Sequence, residues 1–193
     1  MLVTTQITAI DFEKVYTIDE FLKLDLPEDA DYELIGGKVV ARPNSGTSGE
    51  HGEIIFKLAT FLGSYLLNNP VGKGYSEASC TLGRPAGSNY VKPDVCFVAA
   101  GRTPDKFRGP IPVAPDLAIE IWSPSDSTEI IQDKIEAYQQ AEVKLIWSIY
   151  MLNKYVLVYH LNDPDIKLLN LNDELDGEDV LPGFKLKVSA FLK

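Results

Sequence analysis

Three side chains in this 193-residue chain are of the wrong type for their surroundings. The run Asp116-Leu117-Ala118-Ile119-Glu120-Ile121-Trp122 reads as a strand apolar on both faces, with Glu120 in its middle. Burying that carboxylate costs several kcal/mol unless it is paired, hydrogen-bonded or bound to a cation. A second acid, Asp94, stands at the mouth of the apolar run Val95-Cys96-Phe97-Val98. The third oddity is Lys134. At about 100° per residue, Ile130, Ile131, Ala137, Tyr138 and Ala141 fall within about 60° of it on a helical wheel, which puts the lysine at the centre of an apolar face. Taken singly, each residue has a plain structural reading: a satisfied core salt bridge, a strand-end cap, and a lysine whose stem covers the core. Taken together, an inward lysine on the helix that follows the Glu120 strand is a candidate partner for that carboxylate. The two acids could also serve as the acid and nucleophile of a glycosidase, but that chemistry gives Lys134 no role.

The elements that must position these residues follow from periodicity. Strands are expected near residues 75–82, 94–99, 117–122, 145–150 and 155–161, which are rich in Val, Ile and aromatics. A helix over about 127–141 carries Lys134. A longer one, over about 48–68, has Ile54, Ile55, Leu58, Phe61, Leu62, Tyr65 and Leu66 at helical spacing. His51 lies on the inward side of its start, either as a hydrogen-bonded core residue or as an accessory proton carrier or phosphate contact. Upstream, Thr17 and Glu20 form a capping box for a short helix that ends before Pro27. Gly36-Gly37 joins Tyr32-Glu33-Leu34-Ile35 to Lys38-Val39-Val40-Ala41 as a β-hairpin. A tight turn at Leu152-Asn153 joins the last strands, and residues 181–192 read as a strand followed by a terminal turn. With no linker and no repeat, the pattern predicts one α/β domain over 1–193, a central mixed β-sheet flanked by helices, with residues 1–11 as a short N-terminal extension.

Composition narrows the function classes. The 28 acidic residues outnumber 18 Lys plus Arg, and a net charge of −10 argues against nonspecific coating of nucleic acid. The charge is uneven, however. Residues 51–112 hold seven bases against four acids, and Arg84, Lys92, Arg102, Lys106 and Arg108 are candidate phosphate contacts in Gly/Pro-rich surroundings. No apolar stretch approaches the roughly 18 residues of a membrane span, and Asp11, Glu13, Asp19 and Glu20 stand where a signal peptide would be basic and then apolar. The expectation is a soluble, cytoplasmic protein. Cys80 and Cys96 are too few and too far apart for a disulfide framework or a zinc knuckle, and read as reduced core thiols. The segment from Pro43 to Gly49 lacks the Gly-Lys-Ser/Thr ending of a P-loop and reads as a flap over the cleft.

The order of Tyr32-Glu33-Leu34-Ile35-Gly36-Gly37, Lys92-Pro93-Asp94, Leu117-Ala118-Ile119-Glu120-Ile121-Trp122-Ser123-Pro124-Ser125, Lys134-Ile135-Glu136-Ala137-Tyr138 and Leu181-Pro182-Gly183-Phe184 resembles the putative restriction endonuclease family of the PD-(D/E)xK nuclease superfamily. The resemblance spans roughly residues 12 to 193 and implies a restriction-endonuclease-like core. It also implies that Asp94 and Glu120 bind a divalent cation, Mg²⁺ or Mn²⁺, and that a lysine beside them positions or activates the attacking water. The position two after Glu120 is Trp122 and not lysine. Lys134 is then the substitute, a placement the helical wheel supports independently. Glu33 resembles the additional acid near the start of the fold, where it would hold a second metal or orient water.

The function so implied is metal-dependent hydrolysis of DNA phosphodiester bonds, with DNA as partner and a homodimer for double-strand cutting. Mg²⁺ prefers oxygen ligands, and two carboxylates with water suffice to hold it. The alternative is a catalytically silent member that binds nucleic acid or protein on the same scaffold. Two expectations follow for the pure sequence reading. Lys134→Met, which keeps most of the stem, should leave the fold intact, and Asp94→Asn, which removes a repulsion, should melt higher without metal.

Overall fold

The computed structural model describes residues 10–28, 30–43, 48–83, 89–123 and 126–193. Arg84, the Pro124-Ser125 pair and most of the expected flap lie outside them.

Thr17 caps α1 (Ile18–Phe21) with the reciprocal Glu20 bond the sequence announces. β1 (Ala30–Ile35) and β2 (Lys38–Pro43) pair antiparallel across Gly36 and Gly37, whose φ values of 58° and 80° are those a tight hairpin turn requires. Ser48 caps α2 (Gly49–Asn68), which leads to β3 (Gly72–Ser76), β4 (Cys80–Leu82), β5 (Asn89–Val91) and β6 (Val95–Ala99). β7 (Leu117–Trp122), buried along its whole length, is followed by α3 (Thr128–Gln140) and β8 (Leu145–Tyr150). β9 (Tyr155–His160), β10 (Lys167–Asn170), β11 (Glu174–Asp176), β12 (Lys185–Lys187) and a 3-10 turn at Val188–Ala190 complete the order.

The central sheet is mixed, as expected, with the order β10-β9-β8-β7-β6-β3. β7 and β8 run parallel with α3 as their crossover, and the other neighbours are antiparallel. Three features depart from the sequence reading. The hairpin is not in the central sheet but joins a second sheet ordered β2-β1-β5-β4. The strand expected over 75–82 is split, because Glu77 adopts a left-handed φ of 51° and ends the extended run between β3 and β4. At the tail, β12 pairs with β11 in a two-stranded ribbon that the sequence reading leaves out.

Each face of the central sheet has its own core. On one, Ile54, Leu58 and Leu62 of α2 pack on Val95, Phe97, Leu117, Ile119 and Ile121, with Leu181, Phe184 and Phe191 of the tail. Gly74 lets α2 lie close to β3, since a Cβ there would come within 3.2 Å of the Leu66 side chain. On the other face, Cys96, Ala118 and Trp122 meet Ile135, Ala137 and Tyr138 of α3, and Ile35, Leu82 and Val91 of the second sheet. Glu120 shares this face with Ala118 and Trp122 by strand alternation, so it points between α3 and the second sheet.

Candidate metal centre

The register places the acids. Val95 pairs with Ile119 across β6 and β7, and Ser76 pairs with Val95 across β3 and β6. One step further along the strands sets Glu77, Asp94 and Glu120 in a row across three neighbouring strands. The backbone N–H of Glu77 donates to the Asp94 carbonyl at 3.0 Å, which extends the β3–β6 pairing to this row. Sequence reasoning misses Glu77, which looks like one more acid in a polar loop.

Glu120 is wholly buried and fully partnered. Lys134 Nζ lies 3.0 Å from its Oε1 and 3.1 Å from its Oε2, and the Tyr138 hydroxyl donates to Oε1 at 2.6 Å. Tyr138 is a second missed residue, although its i, i+4 spacing from Lys134 puts both on one face of α3. Lys134 reaches further, to Glu33 Oε1 at 3.0 Å and to the Lys92 carbonyl at 3.2 Å. An ammonium has three N–H donors, and these three groups engage all of them. Glu33 Oε1 also accepts the Lys92 backbone N–H at 2.5 Å, while its Oε2 is buried with no hydrogen-bond partner among the described residues. The structure therefore brings Asp94, Glu120, Lys134 and Glu33 into one cluster.

Asp94 is held from two sides. Its Oδ2 accepts the Ile121 N–H at 2.6 Å, and His51 Nε2 lies 3.5 Å from its Oδ1. The same Nε2 is 3.1 Å from the Ile121 carbonyl, so His51 reaches the site from the opposite face of the sheet. Arg42, also missed in the sequence, closes the cluster at the end of β2. It pairs with Asp126 at 3.2 Å and lies over the Trp122 ring, while Asp126 in turn caps the Ser123 N–H at 2.7 Å.

These environments push the two central acids apart. Burial drives Glu120 up to about 7, with Asp94 and Glu33 adding to the rise and Lys134 opposing it. Burial also pushes Asp94 up, but the hydrogen bond and charge of His51, the charge of Lys134 and the Ile121 N–H together bring it below the ordinary aspartate value. For Lys134, burial works downward and is more than offset by Glu120 and Glu33. Burial opposes a charged His51 as well, yet Asp94 carries it above the ordinary histidine value. Glu77 is raised by burial and by the neighbouring Asp94, with Lys92 opposing.

The donor chemistry suits a hard divalent cation: the Asp94 and Glu120 carboxylates and the Ile121 carbonyl are all oxygen ligands. One His51 nitrogen lies 3.5 Å from Asp94 Oδ1 and 3.1 Å from the Ile121 oxygen, so both oxygens face the same small region beside His51. No group of three or more His, Cys, Asp or Glu among the described residues is arranged as a ready-made cage. An ion here would rely on two carboxylates, a carbonyl and water.

The candidate phosphate contacts fall into two groups. Lys92 lies between Asp31 at 2.7 Å and Glu77 at 3.3 Å, and Arg102 is bound to Asp116 at 2.6 Å. Lys106 and Arg108 line an open groove beside β3.

A mixed sheet with acids aligned at the ends of adjacent strands, backed by a buried lysine, has the form of a nuclease-like α/β fold. The model of the Uma2 family, described as "Putative restriction endonuclease", matches residues 18–189, and the chain belongs to that family. A solved structure described as a "putative nuclease belonging to DUF820" from Anabaena variabilis has the same fold, with a TM-score of 0.76 at 24% identity over 91% of this chain and 96% of that one. No curated protein matches the chain. No helix among the described residues is long and apolar enough to cross a membrane.

Proposed function

We propose that this protein is a divalent-metal-dependent endonuclease that hydrolyses DNA phosphodiester bonds, acting as a homodimer where both strands are cut. The observation that supports this best is the row of Glu77, Asp94 and Glu120 on three adjacent strands, with Lys134 buried behind it. Asp94, Glu120 and the Ile121 carbonyl would hold Mg²⁺ or Mn²⁺. When bound, the ion neutralises phosphate charge and lowers the pKa of water.

The remaining work falls to the chain's own groups. Lys134 orients Glu120 and Glu33 and supplies a positive charge that no solvent screens. His51 donates from Nε2 toward Asp94 and the Ile121 carbonyl and so positions both, which leaves Nδ1 as the nitrogen that can take up a proton. Arg42, at the mouth, offers a guanidinium to a phosphate oxygen. Glu33 Oε2 is free to accept a hydrogen bond from an attacking water.

A silent member of the fold is the second reading, favoured by one observation: every N–H of Lys134 is already engaged within the protein. Supercoiled plasmid incubated with the protein and Mg²⁺, Mn²⁺ or EDTA separates the two. Conversion to nicked or linear DNA that needs the metal and is lost in Asp94→Ala is expected. Plasmid left intact under every metal condition would overturn the nuclease.

A further inference from the structure

A groove of about 700 Å³ opens beside β3, lined by Lys73, Tyr75, Asp105, Lys106, Phe107 and Arg108. Four features set it apart from an ordinary solvated surface. Its charge is reversed: three cations face one acid in a chain whose net charge is −10. None of Lys73, Lys106 and Arg108 has an ion-pair partner among the described residues, in contrast to Lys92 and Arg102. Its floor is aromatic, because Tyr75 and Phe107 are half-buried against the core shared by the central sheet, α3 and the second sheet. And the Tyr75 hydroxyl is buried with no hydrogen-bond partner among the described residues, so the ring's apolar face is what Tyr75 offers the groove.

Position ties the groove to the acids. Lys73, Tyr75 and Glu77 occupy alternate positions on and just beyond β3, on the face turned away from α2. At about 3.3 Å per residue, Tyr75 lies roughly 7 Å and Lys73 roughly 13 Å from Glu77, the outer acid of the row. A nucleotide adjacent to one held at the carboxylates would reach the groove.

We propose that this groove is a subsite for an unstacked nucleotide of a DNA strand, the base lying against Phe107 and Tyr75 and the phosphates against Lys73, Lys106 and Arg108. The subsite rests on the nuclease reading and gives it a substrate class: DNA with a single-stranded or extruded segment next to the scissile bond. Paired bases inside a duplex cannot present a face to a concave aromatic floor, whereas an unstacked base can, and stacking of this kind tolerates any sequence.

Fluorescence anisotropy in EDTA, with a short labelled oligothymidylate, a blunt duplex of the same length and free thymidine monophosphate, tests this apart from cleavage. The oligothymidylate should bind more tightly than the duplex or the mononucleotide. Lys106→Ala with Arg108→Ala, both at exposed positions, should weaken it about tenfold and flatten the salt dependence by about 0.7 in log–log slope per lost contact. Phe107→Leu, which keeps an apolar side chain, should weaken it about fivefold or more with little change of slope. Tyr75→Phe removes only the hydroxyl and should give little loss.

Oligothymidylate binding that is unchanged in all these variants, or a duplex or mononucleotide that binds as well, would overturn the subsite. Plasmid cleavage that persists alongside that result would leave the nuclease reading standing. Intact groove binding by a protein that cuts nothing would overturn the nuclease and keep the groove as a single-strand site.

Discussion

Lys134 and Glu120 form a 3.0 Å ion pair in which neither side chain has any exposed surface. Breaking such a pair leaves a buried charge without its partner, at a cost of about 3–5 kcal/mol. The sequence reading expects Lys134→Met to keep the fold intact, but it sees only the stem and not the three acceptors at its tip. Denaturant unfolding should show Lys134→Met strongly destabilised, and Glu120→Gln added to it should recover part of the loss. A single variant within about 0.5 kcal/mol of wild type would mean that the cluster relaxes around the missing charge.

Asp94→Asn carries a second reversal. The repulsion expected between Asp94 and Glu120 exists, but it is expressed on Glu120, because His51 and the Ile121 N–H favour the ionised form of Asp94. A folded-state pKa below the unfolded one contributes stability above pH ~4, and that stability is lost as pH falls through the lower value. Asp94→Asn should therefore melt lower than wild type at pH 7 in EDTA. A higher melting temperature would show that His51 does not hold the carboxylate.

What the sequence makes legible, and what it hides, divides by range. Glu120, Asp94 and Lys134 are visible because each breaks a local pattern of period two or 3.6, and pattern violations are where local rules yield to tertiary chemistry. Capping residues Thr17, Ser48 and Ser127 fix helix starts for the same local reason. Arg42 and Glu77 break no pattern. They enter the site only because β2 belongs to a second sheet and because one left-handed residue ends β3, and both facts depend on contacts between distant parts of the chain. Tyr138 is intermediate: its position on the lysine face is readable, but its hydroxyl reads as part of an apolar stripe.

Glu120, raised to about 7, has the opposite pH signature. An acid whose folded pKa lies above its unfolded value contributes no penalty below pH ~4.3 and destabilises the fold progressively as pH rises toward 7. In metal-free buffer, the stability of wild type relative to Glu120→Gln should decline across that window. Mg²⁺ should reduce the decline by favouring the ionised carboxylate, and at ten times its Kd would add about 1.4 kcal/mol. Urea titrations at several pH values, with and without the metal, read both effects. A flat difference curve would place Glu120 among ordinary ion-paired acids.

At the other end of the same strand, Asp116 is a carboxylate whose work is structural. It is 1% exposed, accepts the Ala99 N–H at 2.8 Å, and binds Arg102 at 2.6 Å and Lys144 at 2.9 Å. These contacts tie the start of β7 to the end of β6 and to the residue before β8. Burial alone would raise its pKa, but the Ala99 N–H and the two cations hold it below the ordinary aspartate value. Its contribution is thus present above pH ~4 and lost as pH falls through the lower folded value. About 13 Å of strand separates it from Glu120, so it touches none of the groups at the candidate metal centre. Asp116→Asn should cost about 1.5–3 kcal/mol at pH 7, the worth of a hydrogen bond to a charged group, and the gap to wild type should close in acid. Plasmid cleavage at a temperature where both proteins are folded should be unchanged. Loss of cleavage in a fully folded Asp116→Asn protein would show that this end of β7 bears on the site, and a gap that persists at low pH would show that charge is not what Asp116 contributes.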